Sequence, residues 1–238
     1  MIEKRIVNAD DFGASQEINA AIDYAFKQGI INRTTLMVNM PFAKDAVQLA
    51  IKGGYFDKIG LHLCLDAGEP LTEAIKEYQL FGTKDFWKKK INHIYIGRKV
   101  RKAIEQEIEA QIQEYIHLGC TAMHIDSHHH AHHTPSILPS VISLAKKYGF
   151  KSMRISRNIG LGISPIKRII KNILNYQISN NFEANTYFGN MQNYKESSLS
   201  KNDSFEIMVH PFIKDGNYLD WVNFGVFYNL EEYNVLKE

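Results

Sequence analysis

Ten histidines occur in the 238-residue sequence, and five of them crowd into positions 128 to 133 of the stretch HIDSHHHAHH. Neutral imidazoles bind divalent transition ions, and a catalytic site of that kind uses about three protein ligands, leaving other positions to water and substrate. His124, Asp126 and His128 are spaced two apart, so an extended chain points all three to one side. The mundane alternative is a solvated or packed histidine tract. This one ends a strand and precedes a helix, which is where sites collect in parallel α/β proteins.

Asp10 and Asp11 in IVNADDFGAS form a second unusual juxtaposition. Neighbouring carboxylates repel, and the strand before them offers nothing to offset the charge. Two uses are open. The acids could complement the dipole and free amides of a helix starting near Ser15, or one could bind a cation while the other handles a proton. Two further histidines stand at strand ends: in KIGLHLCLD, Ile59, Leu61, Leu63 and Leu65 take one side and His62 the other, and His210 closes SFEIMVHP. Asp11, His62 and His128 thus end three separate strands and could present one metal site. On that arrangement Asp10 is the base that takes a proton from a metal-bound water, and His210 protonates the leaving group. Asp126 orients the second nitrogen of a ligand. His124, His130 and Arg154 join it as candidates for supporting the ligands or touching substrate.

These residues need a frame, and the chain supplies alternating strands and helices. Residues 15 to 28 place Ile18, Ala21, Ile22, Ala25 and Phe26 on one helical face, with Ser15 as N-cap and Gly29 as the stop. A strand over Thr34 to Asn39 and a helix opening at Pro41 and closing on two glycines repeat the unit. Helical spacing from Val100 to Leu118, a strand at TAMHIDS, a helix after Thr134 with Pro135 at its first position, a strand at FKSMRIS and a helix from Pro165 continue it. Pro139, one turn into the helix after Thr134, argues against a regular first turn there. The segment from Ala67 to about Lys99 reads as a long excursion carrying Tyr78, Phe81, Phe86 and Trp87, and the Asn- and Ser-rich stretch after the Pro165 helix reads as loop. Such alternation implies a parallel sheet covered by helices, either doubly wound or closed as a barrel.

Composition narrows the partners. With 28 basic against 26 acidic side chains the charge is too balanced for a nucleic-acid binder or a polybasic membrane surface. No window has the apolar length of a membrane helix, the N-terminus does not read as a signal peptide, and Cys64 and Cys120 form no CxxC pair. The expectation is one soluble, cytoplasmic domain over residues 1 to 238 that acts on a small molecule.

Taken in order, IVNADDFGAS, IGLHLCLDAGEPL, HIDSHHHAHHTP and FEIMVHPFI resemble the YdjC-like carbohydrate deacetylases, the family of the chitooligosaccharide deacetylases, over residues 1 to about 215. The resemblance implies a variant (β/α) barrel of the TIM-like glycoside hydrolase/deacetylase type, with parallel strands and outer helices. It further implies removal of N-acetyl groups from amino sugars, with or without a phosphate, by a hydrolase holding one divalent ion, magnesium or zinc. Transferred by motif, the metal residues are Asp11, His62 and His128, the base is Asp10 and the acid is His210. Family members usually continue past the final HP with a helix and a last strand, whereas this chain ends at EEYNVLKE, so either the barrel closes differently or the chain is shortened. Phe212 stands where a small residue is usual after HP, in line with the chitooligosaccharide branch.

Competing readings are a metal-dependent phosphoesterase, which would assemble two or more ions, and a catalytically silent sugar- or metal-binding protein. The series Arg154, Arg157, Lys167, Arg168 and Lys171 is either a solvated face or a receiver for a phosphorylated sugar. Related barrels often pair as homodimers, and the sequence marks no interface.

Overall fold

The computed structural model describes residues 3–76, 95–121, 123–200, 202–223 and 226–237. The chain runs β1 (Arg5–Phe12), α1 (Gln16–Lys27), β2 (Arg33–Leu36), α2 (Ala43–Gly53), β3 (Ile59–Leu63), α3 (Glu73–Lys76), α4 (Arg98–His117), β4 (His124–Ser127), α5 (Leu138–Lys147) and β5 (Ser152–Met153). It continues through α6 (Pro165–Ser179), β6 (Tyr187–Asn190), α7 (Met191–Lys195), β7 (Phe205–Val209), β8 (Pro211–Lys214), β9 (Asn217–Asn223) and β10 (Val226–Asn229).

Seven strands pair in the order β5-β4-β3-β2-β1-β7-β6, all parallel. The sheet curls so that its two edges meet: Met153 N–H donates to Glu183 O at 3.2 Å, Glu183 N–H to Lys151 O at 3.0 Å and Asn158 N–H to Phe188 O at 3.2 Å. The result is a (β/α)-barrel type of fold, one of the two arrangements that the alternation of elements allows and the one that the family resemblance implies. The last three strands form a separate antiparallel sheet, β10-β9-β8. It is held to α1 by stacking of Tyr218 on Tyr24, whose ring centroids are 3.6 Å apart.

Period-two alternation decides what faces where. Outward residues of the strands, Val7 and Ala9, Leu61 and Leu63, Ile125, and Ile207 and Val209, are sealed in the aliphatic layer under the helices. Inward positions are polar: Asn8 and Asp10, Thr35, His62, His124 and Asp126, and Glu206 are all buried. The lumen is narrow. A Cβ on Gly60 would stand 2.9 Å from Thr35 Cγ2 and 3.0 Å from His124 O, so only glycine fits between those strands.

Helix signals act where the sequence puts them. Ser15 Oγ accepts the Ile18 N–H at 3.2 Å, Ser164 caps α6 and Pro165 opens it. From α4, Glu107 accepts Leu71 N–H at 3.0 Å and Thr72 N–H at 2.9 Å, while Gln111 takes Cys64 N–H at 2.9 Å. These bonds pin the loop that follows His62.

Several expectations need correction. The helix after Thr134 begins at Leu138, with Pro139 in its first turn, because residues 128 to 133 form a tight turn that uses Thr134 as its end. The strand expected over 150 to 156 pairs only at Ser152–Met153, and the second strand stops at Leu36. The stretch after α6, expected as loop, contains β6 and α7. Of the excursion after Ala67, Glu73–Lys76 is helical; Tyr78, Phe81, Phe86 and Trp87 lie outside the described residues.

Candidate active site

In a regular strand Asp10 and Asp11 would point to opposite faces. Strand β1 avoids this by a register shift against β2 between Ala9 and Phe12, with Asp11 in the left-handed region at φ 67°. A non-glycine residue there is strained, and such strain gathers at functional sites. The bulge turns both carboxylates toward the C-terminal mouth of the barrel.

Asp11 Oδ1 lies 2.8 Å from His128 Nδ1 and 3.2 Å from His62 Nε2. The other nitrogen of His62 faces Asp126 Oδ1 at 2.7 Å and Thr35 Oγ1 at 3.1 Å, and Thr35 donates to Asp126 Oδ2 at 3.1 Å. The ring of His62 is therefore fixed from behind, with Nε2 left to face the site.

Behind this group Arg154, fully buried, crosses the lumen. It donates from Nη1 to Asp10 Oδ2 and from Nη2 to Asp10 Oδ1, both at 2.7 Å, from Nη2 to Asp126 Oδ2 at 2.7 Å, and from Nε to Glu206 Oε1 at 2.6 Å. Asn8 adds a 2.7 Å bond to Asp10 Oδ1. Burial alone would raise the pKa of Asp10, but the Arg154 charge and bonds outweigh it and hold the carboxyl well below the usual range. Asp11 is lowered too, its burial overcome by the bonds from His128 and His62. Burial works against a charged His62, yet the Asp126 charge and the bonds to Asp11 and Asp126 push it up to about 10. Glu206 goes the other way, raised by burial.

His210 reaches the same mouth from the end of β7. Its backbone N–H donates to Asp220 Oδ1 at 2.6 Å and its Nδ1 to Trp221 O at 3.1 Å, which leaves Nε2 at 3.9 Å from Asp10 Oδ2. Two adjoining cavities open here, of about 330 Å³ and about 360 Å³, and both are lined by Asp10, Asp11, His210 and Trp221.

The donor set fits a divalent ion. Ligand atoms of Asp11, His62 and His128 all lie within 4.8 Å of one another, one carboxylate oxygen and two imidazole nitrogens. That mixture suits zinc-type chemistry, and the Asp126 contact to His62 is the outer support such ligands use. A further group, Asp66, His128 and His129, overlaps it, with His129 Nδ1 at 2.6 Å from Asp66 Oδ2.

A family model for YdjC-like proteins matches residues 4–237. The chain belongs to the YdjC-like family. Among relatives of this family, the carbohydrate deacetylase of Vibrio cholerae serotype O1 is 42% identical over 149 residues, 61% of this chain and 56% of that protein. That match thus spans little more than half of the Vibrio cholerae protein. The carbohydrate deacetylases of Thermoanaerobacter pseudethanolicus, 34% identical over 88% of this chain and 81% of the relative, and of Vibrio campbellii, 31% identical over 96% and 86%, match more fully. A crystal structure from Enterococcus faecalis V583, of a protein proposed to cleave cellobiose-phosphate, shares the fold at a TM-score of 0.66 and 24% identity, covering 90% of this chain and 83% of that one.

Within this YdjC-like barrel the structure brings Asp10, Asp11, His62, His128, His130 and His210 to one mouth and keeps His124 apart. His124 Nδ1 is 2.8 Å from Ser152 Oγ, deep in the lumen. His130 is partly buried beside Phe188 and lines the larger of the two cavities. Arg154 cannot receive a sugar phosphate, because it is sealed among three carboxylates. Neither cavity is lined by Arg157, Lys167, Arg168 or Lys171. Sequence reasoning missed Glu206, Thr35, Asp220 and Trp221. For Glu206 a signal existed: one acid between Phe205 and Ile207 in an apolar strand faces the lumen. Among the described residues, no helix is long and apolar enough to cross a membrane.

Proposed function

We propose that the chain is a metal-dependent carbohydrate deacetylase, a hydrolase that removes N-acetyl groups from small amino sugars or chitooligosaccharides. The observation that carries this reading is the convergence of Asp11, His62 and His128 on one point, with Asp10 and His210 on the same lip. A divalent ion, zinc or magnesium, held by those three residues would polarise the acetyl carbonyl and acidify the attacking water. Asp10 stays ionised under the grip of Arg154, so it is ready to accept the water's proton, and its low basicity makes it dependent on an acidified donor. Asp126 keeps His62 oriented. His210, when protonated, gives its Nε2 proton to the departing amine, its Nδ1 being committed to Trp221 O.

A phosphoesterase reading draws on the overlapping Asp66, His128 and His129 group, which would require two ions per chain. Acetate release from N-acetylglucosamine, diacetylchitobiose and their 6-phosphates, by protein stripped of metal and reloaded with zinc, magnesium, manganese or cobalt, tests the deacetylase. Metal-dependent acetate is the expected result. No acetate with any metal demonstrably bound would overturn it, and two bound ions would favour the rival.

A further inference from the structure

Helix α6 stands almost free of the barrel. Only Leu174 and Ile178 are buried, and Asn175 ties the helix down by accepting Ser156 N–H at 2.7 Å and donating from Nδ2 to Ser156 O at 3.1 Å. Core formation leaves its other apolar side chains unused. Ile166, Ile169, Ile170, Ile173 and Tyr176 recur at helical spacing and therefore share one face. That face turns outward: Ile166 is 73% exposed, Ile169 61% and Tyr176 69%. Leu161, in the loop before the helix, is exposed as well. A continuous apolar stripe of this kind marks a contact surface, unlike apolar residues scattered singly over a fold.

The charge around this helix is equally one-sided. From Ser127 to Phe182 the sequence has no Asp or Glu but eight Lys and Arg, so the near balance of 28 basic to 26 acidic side chains over the whole chain conceals an uneven distribution. Of the eight, Arg154 is enclosed in the lumen, whereas on α6 Lys167 and Arg168 are exposed and Lys171 is half-buried. None of these three makes an ion pair with an acid among the described residues. They crowd one another instead: burial, and then the charges of Arg157 and Lys167, lower the Lys171 pKa. An apolar stripe on a helix whose other side carries unanswered cations is the pattern of an interfacial helix, which sinks its apolar face to the headgroup boundary and lays its cations on lipid phosphates. A second copy of the chain fits less well, because a two-fold contact would set this acid-free segment against itself.

We infer that α6 is a docking face for an anionic lipid bilayer, entered by Ile166, Ile169, Ile170, Ile173 and Tyr176 and held by Lys167, Arg168 and Lys171. This surface is independent of the reaction at the barrel mouth. Co-sedimentation of the full chain with phosphatidylcholine vesicles, with and without about one third phosphatidylglycerol, tests it. The protein should bind the anionic vesicles at least about tenfold more tightly than the neutral ones, and raising the salt to about 1 M should remove most of that difference. Ile169→Ser/Ile173→Ser should weaken binding to the anionic vesicles by about tenfold or more, and Lys167→Gln/Arg168→Gln should reduce the preference for them over neutral ones by about tenfold. These positions face solvent, so both variants should keep the native melting temperature. No pelleting, equal binding to the two vesicles, or an anionic preference that both variants retain would overturn the proposal. So would a dimer in sedimentation velocity that Ile169→Ser/Ile173→Ser dissolves, which would give this face to a second copy.

Discussion

Arg154 grips Asp10 through two parallel hydrogen bonds of 2.7 Å, although 144 residues separate them in the chain. A bidentate pair of this kind fixes the carboxylate plane as well as its charge. The same guanidinium serves Asp126, which orients His62, so one buried cation sets the position of both the proposed base and a proposed metal ligand.

Removing that cation should be costly. Arg154→Met leaves Asp10, Asp126 and Glu206 as uncompensated buried acids and should destabilise the fold by about 3 to 5 kcal/mol. Urea unfolding of the two proteins reads this directly, and equal midpoints would show that the network is not held by Arg154.

Asp10 and the three proposed ligand residues should separate in their effects. Asp10→Asn is expected to lower turnover by about 10² to 10⁴-fold with metal content unchanged, whereas His128→Ala and Asp11→Asn should lose the metal itself. Metal analysis beside acetate release makes the distinction; full turnover by Asp10→Asn would remove Asp10 from the base role.

Asp126 never faces the mouth, yet its contact to His62 Nδ1 should matter there. Asp126→Asn is expected to weaken metal affinity by about 10 to 100-fold, the usual effect of losing an outer support. Competition against a chromogenic chelator measures it, and unchanged affinity would mean that Thr35 alone suffices to orient the ring.

Acid should destabilise the fold through its buried histidines. His132, bonded to Ser127 Oγ at 2.5 Å and Arg154 O at 3.0 Å, has its pKa lowered to about 4, chiefly by burial. The unfolded imidazole titrates near 6.5, so between these pH values only the unfolded chain takes the proton. The stabilisation is complete above about pH 6.5 and is lost toward pH 4, at about 1.4 kcal/mol per pH unit for each such histidine. His124, buried, and His133, partly buried, are shifted the same way and add to the loss. His62, raised to about 10, changes its contribution only above pH 6.5. Melting temperature should therefore fall steadily from pH 6.5 to 5, and a flat or rising profile would contradict neutral burial of these rings.

The alternating strands and helices were legible because apolar spacing and caps act locally: Ser15 caps α1, and Ile59, Leu61 and Leu63 line one side of β3 as their spacing requires. Strand β6 was not legible, since Tyr187, Phe188, Gly189 and Asn190 are too few to show alternation and are held by β7 alongside. Arg154 read as one member of a basic series because a sequence lists charges without showing which are enclosed. The adjacency of Asp10 and Asp11 was visible, but the means by which both reach one mouth was not. That depends on a register shift and a positive φ, which only the pairing of β1 with β2 displays.

The three acids on Arg154 stand at positions 10, 126 and 206, near the start, the middle and the last parallel strand of the barrel. During synthesis the first two emerge long before Glu206, so the hydrogen bonds of Arg154 are not complete until β7 has left the ribosome. The barrel is thus committed late, with contacts between distant parts of the chain that are slow to form. A nascent chain arrested before residue 206 should remain protease-sensitive, because β1 then lacks its β7 neighbour and Arg154 Nε lacks its Glu206 acceptor.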